Sequence, residues 1–432
     1  MKKKITLSTA LTLILLTAAL AVSVTMMLAM RYFNRQVQWV SQRKAMYTYI
    51  DEVDQALREH YATLNEETLR QNVIAGFVKG SGDAYAEYFS PNAYISEQER
   101  LSGYANNVGI SLIRDTDNRL VIYAVAADSA AAKAGVQVGD VLTAVDGTEV
   151  GERKASDLQQ SIDSAQKVLL SVRRGETALA FELSPYRYVV RSVQHKLLGS
   201  VGYIRITAFY ENTPKQLEQS IAELTQAGVN GLILDLRDNE GGLRSSMQES
   251  ISLLMPLGVY GSATDKKGNV TNLSSNVNQQ LGAATVVLVN AATAGEAEFI
   301  AGAMQEASLA TVIGETTAGK AKYQEYIKIE LDNSAMKLTV GEYSLLKGGS
   351  FEGKGIVPTK EVSLTAEQQA VAPLLDDKTD PQIKAALSQI NASDSGALNT
   401  STTTLPTGSS TTAADGSTTA TSDGTTTTTG AN

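Results

Sequence analysis

Three short runs in the second half of the chain are apolar at nearly every position: Gly231-Leu232-Ile233-Leu234, Thr285-Val286-Val287-Leu288-Val289 and Thr311-Val312-Ile313. A strand with no polar alternation has no face to offer water, so each must be covered on both sides. Helical patterns lie among them. Leu217, Ile221 and Leu224 fall on one face of a helix over 214–227, a second helix follows over 247–255, and 201–206 reads as a further strand. This strand and helix alternation from 186 to about 362 predicts an α/β core on a mainly parallel, doubly covered sheet. Functional groups on such a sheet belong at the carboxyl ends of its strands.

Two of those ends carry chemistry. The strand 285–289 breaks at Asn290 and runs through Thr293-Ala294-Gly295-Glu296-Ala297-Glu298 into an amphipathic helix, a strand-turn-helix junction. The strand 311–314 is followed by Thr317-Ala318-Gly319-Lys320 and then Gln324, which sets a lysine just past a glycine turn. Upstream, 232–236 ends in Arg237-Asp238-Asn239-Glu240-Gly241-Gly242, and paired glycines at a strand end can aim N–H groups at a developing oxyanion.

Together these segments resemble the C-terminal processing peptidases, the tail-specific Ser-Lys peptidases. The family's helix-opening motif is similar to Ser-Ala-Ser-Ala-Ser-Glu, whose middle Ser is the nucleophile, and its Gly-Lys-Gly segment followed by Gln supplies the base and its orienting partner. Anchored on Glu298 and on Lys320, the resemblance puts the nucleophile position at Gly295, the base at Lys320, its orienting amide at Gln324 and the oxyanion region at Gly241 and Gly242. Four departures accompany it. Glu240 stands where the family has Pro, and its carboxylate would oppose an oxyanion if it pointed inward; Gly295 replaces the serine; Glu306 stands for Asp, and Ala321 for the second Gly of Gly-Lys-Gly.

Residues 104–185 form a second pattern. Strand-like runs at 108–112 and 120–125, an Ala-rich helix at 130–134 closed by Gly135, a hairpin signal at Asp146-Gly147, a helix over 158–165 and a hairpin across Arg174-Gly175-Glu176 follow in order. This order, and Ala134-Gly135-Val136-Gln137-Val138-Gly139-Asp140 above all, resembles a bacterial protease-type PDZ domain. Such domains add an extended C-terminal peptide as a strand and hold its carboxylate on backbone N–H groups. The resemblance assigns that loop to Asn107, Val108, Gly109 and Ile110, with Gly109 permitting close backbone approach to the ligand.

The ends of the chain differ from this middle. Lys2, Lys3 and Lys4 precede an uncharged stretch over 5–30, long enough to cross about 30 Å of hydrocarbon. Ala19-Leu20-Ala21 looks like a cleavage site, but apolar residues continue past the usual length of a signal-peptide core, so an uncleaved, single-pass anchor is expected, with the chain beyond Arg31 outside the cytoplasm. Tyr47, Ile50, Val53 and Leu57, then Leu69, Val73, Ile74 and Phe77, predict a helical pair. The segment 83–91 resembles what precedes the family's PDZ domain, and this region would pack on the core or dimerise. Residues 391–432 are almost all Ser, Thr, Gly, Ala and Asp, a composition that predicts a disordered tail. The expected organisation is an anchor at 1–31, a helical region at 32–100, a PDZ domain at 101–186, a peptidase-like core at 187–390 and the tail at 391–432.

Composition narrows the chemistry. With no cysteine, thiolate catalysis, disulfides and Cys-type zinc sites are excluded. A net charge of −9 speaks against nucleic acid as a partner. The two histidines, His60 and His195, lie outside any catalytic context, so no Ser-His-Asp triad is expected, and no metal or other cofactor is implied. A Ser-Lys site needs a neutral lysine, hence desolvation, and a hydroxyl. Glycine offers none. Thr293 lies two residues earlier, about 200° around a helix, and Glu296 has no ligand cluster to help it activate water. Loss of a nucleophile can cost on the order of 10⁶ in turnover. The chain is therefore expected to be a degenerate peptidase that still binds C-terminal tails, acting as a homodimer or beside an active relative. The alternatives are a serine-type endopeptidase using another hydroxyl and a non-catalytic assembly protein. Gly295→Ser is expected to restore proteolysis if the rest of the site is intact.

Overall fold

The computed structural model describes residues 7–61, 63–277, 281 and 283–393. The three N-terminal lysines and nearly all of the Ser/Thr-rich tail lie outside these. The chain divides into two compact units, residues 1–80 and 81–432.

The first unit is helical. One helix runs from Leu7 to His60, 54 residues, and no Gly or Pro interrupts it, so the apolar segment and the first amphipathic segment are continuous. Within it Leu15–Phe33 is long and apolar enough to cross a membrane by length and composition, about 28 Å at the helical rise. A second helix, Glu66–Lys79, starts at Asn65, whose side chain accepts from the Thr68 N–H. Arg58 joins the two, with both guanidinium NH groups on Glu66 (2.6 and 3.0 Å) and Nε on Asp54 (2.7 Å).

In the second unit the expected parallel strands form a six-stranded sheet in the order Val193–Leu198, Val201–Ile206, Gly231–Asp235, Ala284–Val289, Thr311–Gly314, Lys360–Glu361. Only its first pair is antiparallel. Both faces are covered, and side chains alternate between them as the pleat requires. Ile204, Leu232, Leu234, Val287 and Val312 pack with the helices Thr213–Gln226, Arg244–Leu254 and Glu296–Glu306. Tyr203, Ile233, Val286, Leu288 and Ile313 pack with Ile383, Ala386 and Ile390 of the helix Pro381–Ala392.

The core is nevertheless mixed rather than mainly parallel. A second, wholly antiparallel sheet joins Glu87–Phe89, Ser334–Leu345, Gly258–Asp265 and Val270–Ser275, with Lys322–Ile329 paired to Ser334–Leu345. Ser334–Leu345 is one continuous strand of 12 residues. These strands mix charged, Gly and Ser/Thr residues with apolar ones, so they lack the continuous apolar runs that betray the parallel sheet.

Residues 110–183 build a separate small sheet in the order Ile110–Arg114, Leu120–Val125, Val141–Val145, Val168–Arg174, Thr177–Leu183, over its own core of Leu120, Ile122, Leu158, Ile162 and Leu170. It is entered and left through a two-stranded ribbon, Tyr104–Asn107 against Tyr186–Val189. The Ala-rich helix Ala130–Ala134 is closed by Gly135 at φ 88°, and Asp140 secures the following turn by accepting from Gln137 N and from Arg174 at 2.7 and 2.8 Å. That ion pair holds the Asp140 carboxyl below its ordinary range.

Candidate peptidase site and peptide groove

Three loops at the carboxyl ends of adjacent parallel strands meet, as the sheet topology demands. They carry Gly241 and Gly242, Gly295 and Glu296, and Lys320. Gly241, Gly242, Glu296, Lys320 and Gln324 line one cleft of about 290 Å³, with Glu240 also on its wall.

Glu298, fully buried, assembles the centre. Its Oε2 accepts from Gly295 N (3.0 Å) and Lys320 N (2.8 Å); its Oε1 accepts from Thr317 Oγ1 (2.5 Å) and Gly319 N (2.6 Å). One carboxylate therefore fixes the backbone of the two positions that resemble the nucleophile and the base. Gly295 caps the helix Glu296–Glu306 at φ 61°, ψ −120°, a conformation that side-chain-bearing residues rarely adopt. Thr293 cannot stand in. It is buried, its hydroxyl donates to the Leu236 carbonyl (3.0 Å) and accepts from Asn290 N (3.0 Å), and it serves the turn instead.

The Lys320 side chain is half-buried, with its ammonium 4.9 Å from the Tyr85 ring centre. Tyr85 belongs to the segment after Asp83, which is tied to the core by Thr339 N and Oγ1 on the Asp83 carboxylate. Gln324 Nε2 donates to Lys322 O (3.0 Å) and Thr339 Oγ1 (3.4 Å); the expected orienting contact, the Lys320 ammonium donating to Gln324 Oε1, is not among these bonds, although both residues line the cleft. Ala321 is buried and has no positive φ, so its position does not call for glycine. Glu306 anchors Lys347 N and Gly348 N in a distant turn.

Both glycine N–H groups of the oxyanion region are engaged. Gly241 N donates to Asn239 Oδ1 (2.9 Å) and Gly242 N to Glu296 Oε2 (3.0 Å). The other Glu296 oxygen accepts from the buried Tyr343 hydroxyl (2.7 Å), whose ionisation burial and the adjacent carboxylate push well above the ordinary tyrosine range. Glu240, whose carboxylate would oppose an oxyanion only if it pointed inward, is exposed, and the carboxylate bonded to the glycine loop is Glu296. Tyr343, Tyr85 and the Glu296 contact were not foreseen from sequence, because nothing in a local pattern shows what a strand some 50 residues away presents to a helix start.

In the small sheet, Ile110–Arg114 is an edge strand facing the helix Ala155–Ser164 across a groove of about 820 Å³. Asn107 Oδ1 accepts from Gly109 N (2.9 Å) and Tyr188 Oη (2.8 Å), while Val108 O and Gly109 O accept from Ala131 N and Ala126 N. Gly109 has φ 82°, and a Cβ there would lie 2.2 Å from Ser129 Cβ. Within the fold, a close approach that requires glycine is thus made to Ser129. On the strand edge, Gln159 accepts from Leu112 N and donates to Ile110 O, both at 3.0 Å.

His60 is exposed, and His195 packs beside the helix Thr213–Gln226. His195 Nδ1 lies 3.1 Å from Ser220 Oγ and Nε2 3.2 Å from Glu223, an arrangement like a triad in outline. Ser220, however, sits mid-helix with its hydroxyl donating to Gln216 O. Among the described residues no cluster of acidic residues and histidines could hold a metal.

The architecture is that of a peptidase core with an inserted PDZ domain. Residues 200–362 match Peptidase family S41 and residues 121–174 match the PDZ domain. A carboxy-terminal processing protease CtpA of Bacillus subtilis is 29% identical over 332 residues, 76% of this chain and 70% of that protein. A "Probable CtpA-like serine protease" of Staphylococcus haemolyticus is 27% identical over 326 residues, 74% of this chain and 65% of that protein, so the chain spans just under two thirds of that relative. Among solved structures, one described as an S41 protease of Bacteroides fragilis shares the fold at TM-score 0.56 and 18% identity, over 73% of this chain and 90% of that one. The core of this chain thus carries the Peptidase family S41 match, and over about three quarters of its length the chain is similar to C-terminal processing proteases.

Proposed function

We propose that this protein captures the C-terminal tails of other proteins through its PDZ domain and does not hydrolyse them. The observation that carries this reading is Gly295. At the helix start held with Lys320 by one carboxylate, the residue has no side chain, and the nearby Thr293 hydroxyl is committed to Leu236 and Asn290. On this reading Lys320 stands at the base position without a proton donor to serve, and Gln324, Gly241 and Gly242 are remnants of the site. Residues 101–186 form the binding domain, 187–390 the degenerate core. The apolar stretch Leu15–Phe33, preceded by three lysines, holds the protein to a membrane with the rest outside the cytoplasm.

Titration of the full chain with an unstructured peptide bearing a free C-terminus, and with its C-terminal amide, tests the binding; the free acid should bind more tightly. Equal affinity for acid and amide would count against tail capture. Incubation with an unfolded protein substrate should give no cleavage. Sustained cleavage, abolished by Lys320→Ala, would establish instead an active endopeptidase using another nucleophile, and no binding at all would favour an assembly role.

A further inference from the structure

We infer that Glu296 is a second lock on the site: its carboxylate occupies the position at which a substrate carbonyl oxygen would be stabilised, independently of the missing serine. The inference rests on the reading that Gly295 stands at the nucleophile position, and it goes beyond it by assigning the block to two residues. Where the family's motif has a small residue after the nucleophile, this chain has a glutamate. Its Oε2 takes the Gly242 N–H at 3.0 Å, and it lies so close to the glycine loop that a Cβ on Gly241 would come within 2.3 Å of it. The carboxylate is held from the other side by Tyr343 Oη at 2.7 Å. Tyr343 is itself fully buried, stacked at 5.0 Å on Tyr323 and tilted at 5.8 Å against Phe299, so the grip is not that of a loose surface side chain.

The consequence is chemical. In a Gly295→Ser protein the hydroxyl oxygen would bond to the substrate carbonyl carbon, the hydroxyl proton would pass to the Lys320 side chain at the base position, and the carbonyl π pair would become an oxyanion. That oxyanion needs N–H donors, and it would find Gly242 N–H already bonded and a carboxylate in its place. Loss of one such donor costs about 10² to 10³ in rate in serine peptidases. On this inference Gly295→Ser alone is insufficient, because the rest of the site is not intact.

The test compares four full-length proteins, native, Gly295→Ser, Glu296→Ala and the double variant, by cleavage of an unstructured protein and by labelling with a fluorophosphonate, which reports an activated serine. Native protein and Glu296→Ala should be inert, Gly295→Ser near background, and the double variant faster than Gly295→Ser by about 100-fold or more. Tyr343→Phe, which removes one oxygen and loosens the Glu296 carboxylate, should raise the Gly295→Ser rate part of the way and carries the test if Glu296→Ala does not fold. Gly295→Ser turning over as fast as the double variant, or a folded double variant that is inert, would overturn the inference; so would no gain from Tyr343→Phe where that variant carries the test. Cleavage by the native protein would instead sink the proposed function, so the two failures are distinguishable.

Discussion

Gly295, which on the proposed reading removes the chemistry, is also the residue that best fits its backbone. At φ 61°, ψ −120° a side chain is strained by about 1–3 kcal/mol, yet a Cβ would meet nothing closer than Glu240 O at 3.6 Å and Gly241 Cα at 3.9 Å. Gly295→Ala should therefore lose about 1–3 kcal/mol through strain with little crowding, read as a lower urea midpoint at unchanged slope. An unchanged midpoint would mean that Glu298 does not hold the backbone in this conformation. The placement of Gly295 at the nucleophile position is a reading of the sequence anchored on Glu298 and Lys320, and the structure adds that the Glu298 carboxylate binds the backbone of both Gly295 and Lys320. The inward carboxylate was not legible in the sequence. Suspicion fell on Glu240, the residue beside the glycines in sequence, whereas Glu296 reaches them across space from the next strand-helix junction.

At the scale of elements, the expected order of strands and helices in the PDZ domain matches the sheet that forms, because its turns are marked by glycines and its strands by apolar runs. The state of its groove was hidden. Gln159 presents a carboxamide to the edge strand as an added peptide unit would, taking Leu112 N–H and giving to Ile110 C=O. Its Nε2 also donates to Asp163 at 3.0 Å, which steadies it across one helical turn. An incoming tail must displace this amide before it can pair with the strand. Two hydrogen bonds of about 1 kcal/mol net each oppose entry, so Gln159→Ala should tighten binding of a C-terminal peptide by about fivefold or more in calorimetric titration. Weaker binding in that variant would show that Gln159 contacts the ligand rather than competing with it. The antiparallel core sheet was missed for a related reason: its strands are partly exposed and polar, so periodicity alone does not separate them from loops.

Across the whole second unit, the C-terminal helix Pro381–Ala392 closes the face of the parallel sheet away from the cleft, and one buried arginine fastens it. Arg237 gives NH2 to Asp235 (2.6 Å) and NH1 to Asp380 (2.7 Å) and Gln382 (2.8 Å), while Tyr203 Oη adds a bond to Asp235 at 2.6 Å. Asp380 in turn caps the helix by accepting from Gln382 N and Ile383 N. Burial alone would push the Asp235 carboxyl up; Arg237, helped by Arg205 and the Tyr203 hydroxyl, overrides it and holds the group below the ordinary range. In the native protein the contribution of Asp235 is thus present above the unfolded carboxylate value of about 4 and lost as pH falls through the depressed folded value. Arg237→Ala removes the nearest cation and leaves only Arg205 and the Tyr203 hydroxyl to oppose burial, so the folded carboxyl should rise and the variant's deficit should grow with pH. The variant should be weaker than native by about 3–5 kcal/mol near pH 7, where a buried charge is left unpaired, and the deficit should shrink toward about pH 4.5 as that carboxyl protonates. Urea midpoints of the two proteins at both pH values decide the matter: a deficit that stays constant with pH would mean that Arg237 stabilises by packing, and that the sheet and its closing helix are not joined through this charge.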